Sequence, residues 1–250
     1  YLISLGERLS IKLISSALND LDKKSIPLTG KEVGIVTDSN FGESKPLMDT
    51  TRLRTSKTID ALFSKKTIPV VGGFVGADQH GHVTTFGRGG SDYSATTIGS
   101  SIKADEIWLM SDVDGLMTAD PNIVKNAKLL KEVSYVEAIE MALFGAKQIH
   151  PRTFEPLLSK KIPMKIRNSF NIKNEGTLVS ASPSKTVNLA ELSMSGSLIA
   201  SVPTQLLIKF SPPPAEASII TMNVSVNSVP RPDNSCYKMR RSAGKSLSKN

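Results

Sequence analysis

Gly87-Arg88-Gly89-Gly90-Ser91-Asp92-Tyr93-Ser94-Ala95-Thr96-Thr97 follows the strand-like Val83-Thr84-Thr85-Phe86 and leads into a helix-like run. A glycine-rich turn between a strand and a helix exposes the unpaired N–H groups of the helix's first turn at the positive end of its dipole. A phosphate or carboxylate is stabilised there. Arg88 adds a planar fork of donors, and Asp92 adds a negative charge suited to a cation or a substrate ammonium. Opposite charges at one turn suit a zwitterionic ligand. Spacing alone also allows a plain glycine-rich loop with Ser91 or Asp92 as its N-cap.

Outward from this turn, strand ends carry the same kind of residue. Upstream, Ile68-Pro69-Val70-Val71 reads as a strand that breaks into Gly72-Gly73-Phe74-Val75-Gly76-Ala77-Asp78; downstream, Glu106-Ile107-Trp108-Leu109-Met110 ends in Ser111-Asp112-Val113-Asp114-Gly115. Ligands of open α/β sheets sit beyond the carboxyl ends of the strands, so the chemistry collects on one edge. Leu2, Leu5, Leu9, Leu13, Ala17 and Leu18 recur at steps of three and four, which predicts an amphipathic helix packing that face on the sheet, with Glu7 near its start. Val33–Thr37 reads as a strand, Thr58–Phe63 as a short helix and Pro163–Arg167 as a last short strand. Strands alternating with helices predict parallel βαβ units. Ser134 and Glu137 have capping-box spacing, and the helix they open is expected to stop near Gly145.

Several segments, in order and spacing, resemble the successive motifs of the aspartate kinases. They are Leu5-Gly6-Glu7-Arg8-Leu9-Ser10, Phe86–Ala95, Ser111–Gly115, Thr118-Ala119-Asp120-Pro121, Gly145-Ala146-Lys147-Gln148-Ile149-His150-Pro151 and Arg167-Asn168-Ser169-Phe170. The resemblance runs from Leu2 to about Leu178. It implies the amino-acid kinase fold, a three-layer αβα sandwich with a mainly parallel sheet, and ATP-dependent phosphorylation of the side-chain carboxylate of L-aspartate. That reaction is the first step toward lysine, threonine and methionine. Two alternatives are another amino-acid kinase and a non-catalytic chain that binds aspartate or nucleotide without turnover.

The same resemblance implies roles for individual residues. Arg88 binds a carboxylate of aspartate and Glu7 its ammonium, with Ser91 and Asp92 completing the acceptor pocket. Ser111 and Asp112 belong to nucleotide recognition, as do Met117, Lys147 and Gln148. Mg²⁺ is expected to travel with ATP rather than sit in a dedicated cage. Phosphoryl transfer between two anions needs this arrangement of positive charge and N–H groups. Family members commonly have Tyr where this chain has Met117 and Arg where it has Asn122, and both differences fall on nucleotide contacts; Met117 can still pack against a base. The family's opening Lys-Phe-Gly-Gly-Thr has no counterpart in residues 1–250, so the catalytic lysine is expected upstream of this chain. His80 and His82 flank Gly81 with no cysteine or acidic cluster beside them, and His150 before Pro151 reads as structural.

Bulk composition is that of an ordinary soluble chain, long enough for one large α/β domain. With 250 residues and 39% hydrophobic content the chain can bury a sizeable core; it has no stretch long and apolar enough to span a bilayer, and its first residues, 1–8, are not expected to be a secretory leader. Its single cysteine, Cys236, fits a reducing, cytoplasmic setting. The net charge of +8 is unevenly spread: residues 181–250 hold eight Lys/Arg against three acids, while the first 180 carry 23 against 20. A Ser/Pro-rich basic tail without interleaved aromatics does not read as a nucleic-acid site, and no membrane partner is expected. The kinase-like domain is therefore assigned to residues 1–180, lacking its N-terminal part, with 181–250 an irregular tail or a degenerate ACT-like remnant. Family members commonly dimerise, so the intact protein is expected to be a homodimer.

Overall fold

The computed structural model describes residues 2–120, 123–143 and 149–183, together with the backbone of two strands at 205–209 and 218–222. Its first half contains α1 (Leu5–Asp20), β1 (Ser25–Leu28), α2 (Gly30–Val33), β2 (Val36–Thr37), α3 (Met48–Phe63), β3 (Ile68–Gly72), β4 (Val75–Asp78), β5 (Val83–Thr85), α4 (Gly90–Ser101) and β6 (Glu106–Ser111). The second half adds β7 (Glu132–Ser134), α5 (Tyr135–Leu143), a 3-10 turn at Pro151–Phe154, α6 (Glu155–Leu158), β8 (Met164–Asn168), β9 (Thr177–Ser180), β10 (Gln205–Lys209) and β11 (Ser218–Met222).

Eight of the strands form one sheet in the order β1-β3-β11-β10-β6-β8-β9-β7, and β2, β4 and β5 form a second, smaller one. β1, β3, β11, β6 and β8 share one direction, since β10 runs antiparallel to both its neighbours and β6 runs parallel to β8. The carboxyl ends of β1, β3, β6 and β8 therefore lie on the same edge. Residues of β3 alternate between the two faces: a methyl on Gly72 would touch Glu7 and Ile11 of α1, whereas Val71 joins a core with Val33, Ile59, Ile98, Ile107 and Leu109. Helices thus cover both faces of this part of the sheet, as the α/β expectation requires. The strands expected at 68–71, 83–86, 106–110 and 163–167 are all present within a residue or two, and the Ser134/Glu137 capping box closes in both directions, at 3.1 and 2.6 Å.

Three expectations are corrected. The helix over the first residues forms, but its leucines do not face the sheet: Leu9 and Leu13 are 61% and 62% exposed, and Glu7, Ile11 and Ser15 point inward instead. The inward strip has specific partners, because Ser15 Oγ lies 2.9 Å from Ser25 Oγ and Asn19 Oδ1 accepts the Ser25 N–H at 2.8 Å. Hydrogen bonds to β1 thereby outweigh the leucine count in orienting the helix. The segment 33–37 is half helix and half strand, since Thr29 and Glu32 form a capping box that draws Val33 into α2. The helix expected at 58–63 is the last part of the longer α3.

The region expected to be irregular supplies β10 and β11, which pair with each other and insert between β3 and β6. Their apolar runs, Leu206-Leu207-Ile208 and Ile219-Ile220, suit a sheet centre. The proposed stop at Gly145 lies outside the described residues.

Candidate functional site

The glycine turn is built as the sequence suggests, with one difference. The N-cap of α4 is Gly89, at φ 68°, and no side chain caps the helix. Ser91 and Asp92 therefore sit inside its first turn, and the reading of either as a cap is excluded. Both are buried, at 5% and 6% exposure, and Ser91 Oγ has no hydrogen-bond partner. A buried hydroxyl at the start of a helix is a group able to hydrogen-bond a ligand. Burial pushes the Asp92 carboxyl up to about 7.

Close contacts leave the turn little room. A side chain at Gly87 would meet Glu43, one at Gly89 would come within 2.5 Å of His150 Cβ, and one at Gly90 would come within 2.9 Å of Phe86 Cβ. On the other flank the chain passes from β3 to β4 through Gly72-Gly73-Phe74, where Phe74 takes φ 67°. There the Phe74 N–H donates to Ser94 Oγ at 2.8 Å, and its carbonyl accepts the Phe86 N–H at 3.0 Å. Glu7, 5% exposed, packs against Gly72 at the end of β3. Glu7 thus meets the end of β3 at Gly72, and Phe74, two residues further on, meets α4 at Gly90 and Ser94.

Arg88 is exposed at the crest of the turn. Its charge reaches His150, whose pKa is lowered by burial first and then by Arg152 and Arg88. His150 itself caps the following 3-10 turn, its Nδ1 accepting the Arg152 N–H at 3.3 Å.

At the end of β6, Ser111 is buried and Asp112 exposed, with Ser111 Oγ donating to Asp112 Oδ1 at 3.4 Å. The loop beyond them is held by residues to which the sequence reading gave no individual role. Asn168 Nδ2 donates to the Asp112 carbonyl at 3.2 Å and to Asp114 Oδ1 at 2.8 Å, and Asn171 Nδ2 donates to the same Asp114 oxygen at 3.3 Å. Arg167 fastens the far side of that connection, donating to the carbonyls of Ile172 and Asn174 while stacking 4.5 Å from the Trp108 ring centre. Two asparagines flanking a strand end were the available signal. Met117 is half-buried and bridges to Leu129. Lys147, Gln148 and Asn122 lie outside the described residues. His82 pairs its ring with Asp78 at 3.1 Å, and among the described residues no group of three metal-ligating side chains occurs.

The fold is thus a layered α/β protein with a glycine turn after β5, a buried acid against the end of β3 and a buried serine at the end of β6. The chain belongs to the amino acid kinase family, whose model matches residues 1–168. Similar curated proteins include the aspartokinase of Rickettsia prowazekii, 37% identical over 72% of this chain and 39% of its own, and that of Geobacillus stearothermophilus, 38% identical over 71% and 42%. Among solved structures, E. coli aspartokinase III in complex with aspartate and ADP superposes with a TM-score of 0.66 at 33% identity, covering 75% of this chain and 41% of that one. The chain spans about two fifths of the length of the relatives it matches. Among its described residues no helix is long and apolar enough to cross a membrane.

Proposed function

We propose that the chain is the greater part of a kinase domain that transfers the terminal phosphoryl group of ATP to the side-chain carboxylate of L-aspartate. One observation carries this reading. The glycine turn and the first turn of α4 together hold an exposed guanidinium at Arg88, an unpartnered buried hydroxyl at Ser91 and a buried carboxyl at Asp92 within five residues, and a second buried carboxyl, Glu7, lies against Gly72. Such a pocket matches an amino acid that presents one ammonium and more than one carboxylate. The likeness to the solved complex of E. coli aspartokinase III with aspartate and ADP supports the assignment.

In this reading Arg88 holds a substrate carboxylate and Glu7 and Asp92 face the ammonium. Ser91 Oγ, which has no protein partner, donates to or accepts from the acceptor. Asp92 takes up its charge when the ammonium arrives, so the burial that holds its pKa near 7 is offset only with substrate present. Ser111, Asp112 and Met117 line the nucleotide side, where Asn168 and Asn171 fix the loop, and Lys147 and Gln148 belong to the same side by sequence. ATP supplies the phosphoryl group, and Mg²⁺ travels on its phosphates. We assign residues 1–180 to the kinase domain, the intact protein to a cytoplasmic homodimer, and the reaction to the route toward lysine, threonine and methionine.

Replacing Arg88 by Ala removes a charge-assisted contact worth about 1.5–3 kcal/mol, so aspartate binding should weaken roughly 10- to 100-fold while ATP binding changes little. Calorimetric titration of each ligand checks this; equal weakening of both sinks the assignment.

A further inference from the structure

Gly87 and Gly89 take φ of 74° and 68°, and Gly90 follows at once, so the turn that carries Arg88 has little stiffness of its own. The direction of the Arg88 side chain is then set by whatever holds the two ends of the turn. Besides backbone bonds such as Phe86 N–H to the Phe74 carbonyl and Gly90 N–H to the Gly87 carbonyl, one side chain reaches both ends. Arg152 Nη1 donates to the carbonyl of Phe86, the residue just before the turn, at 3.2 Å. Its Nη2 donates to the carbonyl of Ser44 at 3.2 Å, in the loop whose Glu43 walls Gly87. The same guanidinium lies 4.6 Å from the centre of the Tyr93 ring, in the first turns of α4 just after the glycines. Tyr93 is itself fixed, with Phe86 edge-on at 5.5 Å and its hydroxyl donating to Glu155 at 3.4 Å. Two residues before Arg152, His150 fills the space beside Gly89.

We infer that Arg152 is a positioning residue for substrate binding, clamping both ends of the Gly87–Gly90 turn so that Arg88 meets the acceptor carboxylate in a fixed direction. The inference rests on the reading of Arg88 as the carboxylate-binding group. The chemistry of the clamp is specific to arginine: two carbonyls need a fork of donors and the tyrosine ring needs a plane, whereas a lysine ammonium keeps the charge but offers neither. A mere packing role would be served by any side chain of similar length.

The test compares Arg152→Met and Arg152→Lys with the wild-type 250-residue chain, measuring aspartate and Mg·ATP binding by calorimetry and amide hydrogen exchange by peptide. For Arg152→Met we expect aspartate affinity to fall at least about tenfold with ATP affinity within about twofold, because a small misplacement of a binding group carries this scale of cost. Exchange should accelerate in peptides spanning 86–93 and stay unchanged in α1 and β8, with Arg152→Lys recovering only part of both effects. Unchanged exchange in the turn overturns the inference, as does faster exchange spread evenly over α1, β8 and the turn. Full recovery by lysine also overturns it. Wild-type and Arg152→Met chains that bind aspartate equally well remove the positioning role and leave the proposed function standing. A wild-type chain that binds no aspartate removes the proposed function instead, and the exchange data still decide the clamp.

Discussion

Two buried carboxyls show how the same side chain is driven in opposite directions by its surroundings. Asp92 has burial alone acting on it, and its pKa rises to about 7. Asp78 is also buried, which would raise it, but the His82 backbone N–H, the His82 ring and Ser39 together outweigh that and hold it down at about 2. The stability consequences have opposite signs. Asp92 stays protonated in the folded chain while the unfolded chain ionises from about pH 4 upward. Folding stability attributable to Asp92 therefore falls between pH 4 and 7 and is flat above. Asp92→Asn should melt at increasingly higher temperature than wild type as pH rises from 5 to 8; a constant gap would show that burial does not govern this carboxyl. Asp78 gives the reverse: its stabilisation is present above about pH 4 and lost as pH falls toward 2. Asp78→Asn should thus narrow its deficit against wild type in acid melts. Much of the candidate site was legible at this scale, because Gly-Arg-Gly-Gly-Ser-Asp states its turn chemistry locally. The clamp was not legible, since a lone arginine after His-Pro carries no sign of the carbonyls it reaches 66 and 108 residues away in sequence.

At the level of single elements, close backbone approach matters more than propensity. α2 is only one turn long, and its first residue, Gly30, lies directly against the Val75 carbonyl of β4, where any Cβ would collide with backbone. Gly30→Ala should destabilise the chain by at least about 1–3 kcal/mol, since neither partner can give way as a flexible side chain would. Urea unfolding measures this, and a loss under 0.5 kcal/mol, roughly the range of an indifferent surface change, would contradict the packing. Helix periodicity located α1 but could not orient it. A 3.6-residue pattern identifies two unlike faces, and which one turns inward depends on partners such as Ser25 that sit elsewhere in the chain. Strands of three or four residues, such as β1 with its Pro27 and the glycine-bearing β4, left too short a pattern to read.

For the molecule as a whole, the decisive feature is the place of β10 and β11. Among the described residues β3 and β6 are joined through this pair, so the larger sheet is continuous because of a stretch read from its prolines and serines as an irregular tail or a degenerate ACT-like remnant. A chain ending at Pro183 should lose that continuity and melt earlier and less cooperatively than the 250-residue chain, as followed by far-UV circular dichroism. Identical melting of the two would show that the pair contributes nothing to the sheet. The alternation of strands and helices was enough to foresee βαβ units, and the family resemblance implied the layers, whereas strand order was not foreseeable, because it depends on contacts between distant parts of the chain.

That strand order also sets a timetable. The sheet centre joins Val70–Gly72 to partners near position 220, so a ribosome that has already released both halves of the sheet still withholds the strands that unite them. Pairings across so long a separation form slowly and leave strand edges open in the interval. A nascent chain of this protein should therefore pass through a stage in which β3 and β6 each present an unmatched edge, and that stage, rather than the finished fold, is where helper proteins or lower growth temperature would most change its yield.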